Sequence, residues 1–306
     1  AFNAPFSNTR SVVELVISEI IALARRLGDR NTQMHHGVWR KSAIGSHEVR
    51  GRTLGIVGYG NIGAQISVLA EALGLSVMYY DVADKLPMGN AHRCDSLEEL
   101  LQSVDVVTVH VDGRADNKLL FGEQEFSMMR PRSLFLNLSR GHVVDVAALA
   151  DNLRTGHLAG AAVDVYPSEP RSGDEPFVSE LQSLDNVILT PHVGGSTQEA
   201  QIDIGRYVAG KLIDYSERAS TSMSVNLPDI TTGATPGARI GHLHLNMPGI
   251  MADLNRLVAD HGGNVTYQAL ATRGELGYTV LDIDETDREL LVDVTRLEGT
   301  IRARVL

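Results

Sequence analysis

A chain of 306 residues suggests about two domains. Its formal net charge of −11, from 27 Lys and Arg against 38 Asp and Glu, opposes non-specific nucleic-acid binding, which needs a concentrated positive field. No apolar run approaches the ~20 residues that cross a bilayer, and no basic-then-apolar segment opens the chain, so neither a membrane nor a nucleic-acid partner is expected. The single cysteine, Cys94, has no partner for an internal disulfide and fits a reducing compartment, which makes the cytoplasm the expected location.

In chain order, residues 8–27 carry apolar positions at helical spacing, with Asn8 or Thr9 as the cap and Gly28 as the stop. A polar-aromatic segment with Trp39, Arg40 and Lys41 follows. Thr53 to Val57 reads as a short strand, then a glycine loop and a helix over 62–73, then the strand LSVMYYD. A short helix capped by Ser96 precedes the strand VDVVTVHV (104–111). Helical residues near 123–129, a strand at 133–139, a helix at 144–156, and strands at 158–165 and 187–195 complete the set. These strands are apolar almost throughout, as in a parallel sheet covered on both faces, so residues 8–195 are expected to form a doubly wound α/β domain.

A longer helix is expected from Ser196 or Thr197 to Tyr215. The Ser-, Thr-, Gly- and Pro-rich stretch 216–239 reads as a linker with one short strand at 222–227. The order βαββαβ over the last ~67 residues is that of a split-βαβ, ferredoxin-like domain.

The glycine loop TLGIVGYGNIGA (53–64) lies between a strand and a helix, and Asp81 ends the next strand 21 residues after Gly60. In that context Gly58 permits the tight turn, Gly60 admits a pyrophosphate to the backbone, and Gly63 allows close helix–sheet packing. Tyr59, Gly60, Asn61 and Ile62 are expected nearest the phosphates. A carboxylate at Asp81 accepts from a free ribose 2′-hydroxyl and repels a 2′-phosphate, which selects NAD over NADP.

Oxidising a secondary alcohol with NAD needs a base for the hydroxyl proton and a cation for the substrate carboxylate. Such groups belong on loops at the carboxyl ends of the strands. His192 in TPHVGG, Glu169 in YPSEP and Arg140 after LFLNLS all stand there. Imidazole suits proton transfer near neutrality, a carboxylate beside it fixes its tautomer, and guanidinium matches a carboxylate. His110, His142 and His157 also lie near strands or helices and compete for the role.

The segments NAPFSNTRSVVELV (3–16), GRTLGIVGYGNIG (51–63), LNLSRGHVVD (136–145), LAGAAVDVYPSEP (158–170) and NVILTPHVGGSTQEAQ (186–201) closely resemble the D-isomer-specific 2-hydroxyacid dehydrogenases. The resemblance implies a catalytic set at Arg140, Glu169 and His192, and a cofactor site including His110, Val111, Leu138, Ser139, Asp164, Gly194 and Gly195. It is strongest toward members that oxidise 3-phospho-D-glycerate with NAD at the entry to serine synthesis. Lys41, reaching in from a neighbouring subunit, is a candidate for the substrate's phosphate.

The last domain, 239–306, is similar to ACT regulatory domains. That similarity implies L-serine as effector at His244, Asn246 and Asn264, and a homodimer or homotetramer. Met247 stands where the family pattern has Arg. No metal is expected. By the same resemblance, residues 1–7 and 196–238 are remnants of a substrate lobe, roughly 100 residues of which would precede Ala1. This leaves open a dehydrogenase for another D-2-hydroxy acid, or a catalytically impaired NAD- and serine-binding chain.

Overall fold

The computed structural model describes residues 1–234, 237–284 and 288–306. The chain divides into two compact units, Asn8–Gln201 and a second made of Ala1–Ser7 with Ile202–Leu306. Among the described residues no helix is long and apolar enough to cross a membrane.

The first unit opens with α1 (Thr9–Arg25) and α2 (Leu27–His35). Val12, Val13, Val16, Ile20 and Ala24 form the buried stripe of α1, as its helical spacing requires. The expected stop at Gly28 is wrong. Arg26 ends α1 in the left-handed region (φ 56°), and Gly28 is the second residue of α2. The Arg26 guanidinium bonds Asp29 one turn on, a local tie that helps hold a non-glycine residue there.

Then come β1 (Thr53–Val57), α3 (Asn61–Ala72), β2 (Ser76–Tyr80), the two-residue edge β3 (His92–Arg93), α4 (Leu97–Ser103) and β4 (Val106–Val109). They are followed by α5 (Glu123–Met128), β5 (Ser133–Asn137), α6 (Val146–Arg154), β6 (Leu158–Val163) and β7 (Val187–Leu189). Ser96 caps α4 as expected, accepting from Glu99 N–H at 3.1 Å. Asp145 caps α6 through Ala147 and Ala148.

All seven strands are parallel, in the order β3-β2-β1-β4-β5-β6-β7. One face packs on α1 and α3 through Val16, Ile20, Ile66 and Ala70, and the other carries Leu100, Phe126, Leu149 and Leu153. This two-sided burial is why the strands lack alternating polarity. Strand order reverses between β1 and β4, and such a switch point opens a ligand crevice at the carboxyl ends of the strands.

In the second unit, α7 spans Gln198–Arg218, its first four residues belonging to the first unit. The expected strand at 222–227 is absent. Ser224 forms one isolated bridge with Phe2, and the segment is a turn in which Thr221 Oγ1 donates to Pro228 O and accepts from Ile230 N–H. Its polar side chains bond the backbone locally instead of entering a ladder.

Next come β8 (Ala238–Leu245), α8 (Ile250–Asp260), β9 (Val265–Arg273), β10 (Leu276–Ile283), α9 (Arg288–Arg296) and β11 (Thr300–Val305). The expected beginning of this last helix at 285–287, and linker positions 235–236, lie outside the described residues. The sheet is antiparallel, β11-β8-β10-β9. Leu254, Val258, Leu290 and Val294 cover one face. Ala219 and Ile230 pack with Tyr278 and Val280 on the other. Buried Arg239 makes a bidentate pair with Asp282 (2.6 and 2.7 Å) and also donates to Arg218 O and Gly233 O. Tyr278 Oη donates to Ala219 O.

Candidate active site

The glycine loop leaves β1 at Gly58, whose φ of +92° and the His110 carbonyl 2.7 Å from where a Cβ would sit both demand glycine. A Cβ on Gly63 would strike the Gly58 carbonyl, so α3 packs closely against the turn. Around Gly60 nothing lies within 4 Å of that position. Gly60 is the N-cap of α3 and has no side chain to occupy the first N–H groups of Asn61, Ile62 and Gly63. This open helix start is an anion site of the kind a pyrophosphate fills.

The Tyr59 side chain turns away from the open helix start. Its ring is buried and stacked on Tyr79 (3.8 Å), and its hydroxyl pairs with Ser67 (2.7 Å). Its N–H is given to Asp81 Oδ2 at 2.7 Å. That bond ties the Asp81 carboxylate to the glycine loop, and Asp81 also accepts from Ala83 N–H (2.8 Å).

Val111 follows His110 directly at the end of β4. The His110 ring bonds Thr108 Oγ1 at 2.8 Å, and its Nδ1 is buried without a partner. Burial lowers its pKa to about 3, so the ring is neutral and does not serve as a proton-transfer group near neutrality. The His157 ring is engaged with Phe126 O (3.0 Å), and His142 Nε2 is buried.

At the end of β5, buried Asn137 organises the next turn. Its Oδ1 accepts from Ser139 N–H and Oγ, and its Nδ2 donates to Arg140 O. Leu138 is buried while Arg140 is exposed. Sequence reasoning missed Asn137, although a polar residue closing an apolar run was the available signal. A Cβ on Gly141 would overlap the backbone of Tyr166 and Pro167, so the Arg140 turn and the loop after β6 are in direct contact.

That loop carries Glu169. Its Oε2 meets His192 Nδ1 at 2.8 Å, and its Oε1 accepts from Tyr166 N–H at 3.1 Å. Burial pushes the Glu169 carboxyl up. The bonds from His192 and Tyr166, with the charges of His192 and Arg140, outweigh that and hold it below its ordinary value. His192 is half exposed and left-handed (φ 54°), a conformation that a non-glycine residue holds only where its surroundings fix it.

Asp164 supplies that fixation. It is 1% exposed, and accepts from Thr190 Oγ1 (2.5 Å), Val193 N–H (2.8 Å) and Gly194 N–H (2.8 Å). Tyr166 Oη bridges Val163 O and Thr190 O, and burial pushes its pKa up to about 12. A cavity of about 430 Å³ lies beside the dyad, lined by Tyr166, Glu169, Pro170, Phe177, Thr190 and His192. Arg140, Glu169 and His192 thus come together on loops after β5, β6 and β7. Lys41 lies exposed on the segment after α2.

In the second unit His244 is buried, and both ring nitrogens are engaged, Nδ1 with Leu245 O and Nε2 with Thr279 Oγ1. Asn246 and Asn264 are exposed. Leu245 pairs with Leu276, whereas Val265 pairs with Ile283. The two asparagines therefore stand at opposite ends of one sheet, about 25 Å apart by strand rise.

The chain matches the profile of the D-isomer specific 2-hydroxyacid dehydrogenase NAD binding domain over residues 17–194, and that of the AHAS small subunit-like ACT domain over residues 240–302. It is 50% identical to a D-3-phosphoglycerate dehydrogenase of Escherichia coli K12 and 50% identical to one of Haemophilus influenzae, each match covering 100% of this chain and 75% of the relative. Among solved structures it is similar to a D-2-hydroxyisocaproate dehydrogenase (TM-score 0.68, 27% identity, 72% of this chain and 70% of that one). It is also similar to a glyoxylate reductase from Paecilomyes thermophila (TM-score 0.66, 27% identity, 74% and 67%).

Proposed function

Because the chain belongs to the D-isomer-specific 2-hydroxyacid dehydrogenase family and carries its NAD-binding domain, we propose that it is an NAD-dependent D-3-phosphoglycerate dehydrogenase. It interconverts 3-phospho-D-glycerate and 3-phosphohydroxypyruvate, the first step toward serine. The observation that carries this reading is the 2.8 Å Glu169–His192 pair, on the strand ends that also present Arg140.

Bound NAD supplies a nicotinamide ring that accepts the hydride leaving C2 of the hydroxy acid. The cofactor is held at Gly60 to Gly63, at Asp81 and along His110 and Val111, with Leu138, Ser139, Asp164, Gly194 and Gly195 completing the site. Arg140 binds the substrate carboxylate and polarises the 2-oxo oxygen. His192 Nε2, whose partner atom Nδ1 is fixed by Glu169, takes the hydroxyl proton on oxidation and returns it on reduction. Glu169 holds the tautomer and faces the positive charge as it forms on the ring.

L-Serine is the proposed effector, at His244, Asn246 and Asn264. The separation of the two asparagines supports a site shared between two copies, hence a homodimer or homotetramer. Residues 1–7 and 196–238 belong, in this reading, to a substrate lobe, and Lys41 serves a neighbouring subunit's phosphate site. Cytoplasmic location is part of the same proposal, and the single cysteine, free and buried at Cys94, supports it.

The test is NADH consumption with 3-phosphohydroxypyruvate against pyruvate. Preference for the phosphorylated oxo acid is expected. Preference for pyruvate would reassign the substrate, and no turnover with either would leave an NAD- and serine-binding protein.

A further inference from the structure

Glu19 is a buried carboxyl to which neither the catalytic nor the cofactor assignment gives a role. It is 3% exposed, and both carboxyl oxygens are buried without a hydrogen-bond partner. A buried polar group left unpaired is costly, so its presence on a helix built otherwise for packing needs a reason.

Its place on α1 supplies one. Ser11 Oγ bonds Thr197 Oγ1 at 2.8 Å, Asn8 Nδ2 lies 2.5 Å from where a Cβ on Gly195 would sit, and Val12 Cγ2 lies 3.7 Å from the same position on Gly194. Eleven residues later, Leu23 lies against Gly160 of β6. Helix α1 therefore runs along β6, from the loop that carries His192 back into the strand. Glu19 falls between those contacts, on the buried face with Val12, Val16 and Ile20. The residue that follows β6 is Asp164, the anchor of Thr190, Val193 and Gly194.

We propose that Glu19, buried and unpartnered on the face of α1 that lies along β6, is a positioning residue for the His192 loop, acting through Asp164. The inference rests on the assignment of that loop to the active site. Burial first, and then the charge of Asp164, push the Glu19 pKa up to about 8, in agreement with an uncharged group at neutrality. Other titratable groups around α1 are turned elsewhere. β5 and β7 carry none. On α3, Glu71 bonds Asn90. On α2, Asp29 pairs with Arg26, Arg30 bonds Arg40 O, and His35 is exposed. The charge that acts on Glu19 is that of Asp164. When Glu19 ionises, a second negative charge arises next to Asp164, and the carboxylate that holds Val193 and Gly194 is repelled.

The experiment is NADH binding by fluorescence from about pH 7 to about pH 9, in the wild-type protein, Glu19→Gln and Glu19→Met, with the infrared band of a protonated carboxyl read in parallel. The wild type is expected to lose about tenfold in affinity across that range while both variants stay within about twofold, and the carboxyl band is expected to vanish in both variants. Superimposable wild-type and Glu19→Gln curves, or a band unchanged by the substitution, overturn the proposal. If Glu19→Met does not fold, Glu19→Gln, which is isosteric with the protonated acid, decides alone. His192→Asn separates the two readings. Normal turnover in it would remove the active-site assignment, whereas inactivity combined with superimposable Glu19 curves would remove only the role of Glu19.

Discussion

The carboxyl end of the parallel sheet and the antiparallel C-terminal sheet treat their polar side chains in opposite ways. In the first, Asp164, Asn137 and Tyr166 are buried and fully engaged so that Arg140 and the His192 ring can stand exposed and oriented. In the second, the candidate ligand-binding histidine is itself buried and engaged, and its partner asparagines lie at opposite ends of the sheet. Within one chain the candidate proton-transfer pair comes together, while the candidate effector residues stay divided.

The largest expected effect tests the first half of that contrast. His192→Asn should lower turnover by about 10²–10⁴-fold, with NADH affinity held within about threefold. A comparable loss of NADH binding would mean that His192 holds the loop and does not act on the proton. Next in size, Arg239→Met strands Asp282 in the second unit and should destabilise that unit by about 3–5 kcal/mol, read by denaturant unfolding. NADH binding should be unaffected, and a loss there would couple the two sheets energetically.

The two buried carboxyls of the first unit give the third prediction. Asp164 has three donors and Glu19 has none. Because the Glu19 pKa is raised from 4.5 to about 8 on folding, the folded state binds the proton more tightly. Its contribution is full below the unfolded value and is lost as pH rises toward the folded one, by up to about 5 kcal/mol. Unfolding of Glu19→Gln across that window should show a correspondingly smaller decline. Smaller again, Asp81→Ala should weaken NAD about tenfold and narrow the preference against NADP, measured as the ratio of the two dissociation constants.

The last prediction addresses the divided effector set. Asn246→Ala and Asn264→Ala should each weaken serine binding about tenfold. A mixed dimer of the two variants should regain one intact site per pair, read by calorimetric stoichiometry. Serine binding that the wild type shows but the mixture does not regain would remove the shared-site reading.

Much of this was legible in the residues. Apolar strands between helical segments announced a sheet covered on both sides, and Arg140, Glu169 and His192 stood at three strand ends. The glycine roles followed from the strand–loop–helix context. What stayed hidden depends on contacts distant in the chain. Tyr59 turns inward because Tyr79, on the neighbouring strand, offers a stacking surface. His192 adopts φ 54° because Asp164, 28 residues earlier, holds the N–H groups of the two residues that follow it. Arg26, a good helix former, ends its helix where Gly28 was expected to do so. The stretch 222–227 looked extended, but its Ser224 hydroxyl accepts from the Asn226 and Leu227 N–H groups and makes a turn.

The absence of a side chain at Gly141 has a further consequence. A single methyl there would collide with the backbone at Tyr166 and Pro167 and push apart the turn bearing Arg140 and the loop bearing Glu169. The turn bearing Arg140 and the loop bearing Glu169 are therefore packed as one part. Natural variation in substrate preference would have to leave that part alone and work through the residues that meet the rest of the substrate molecule. Drift at the clamp itself would be felt at once by the histidine.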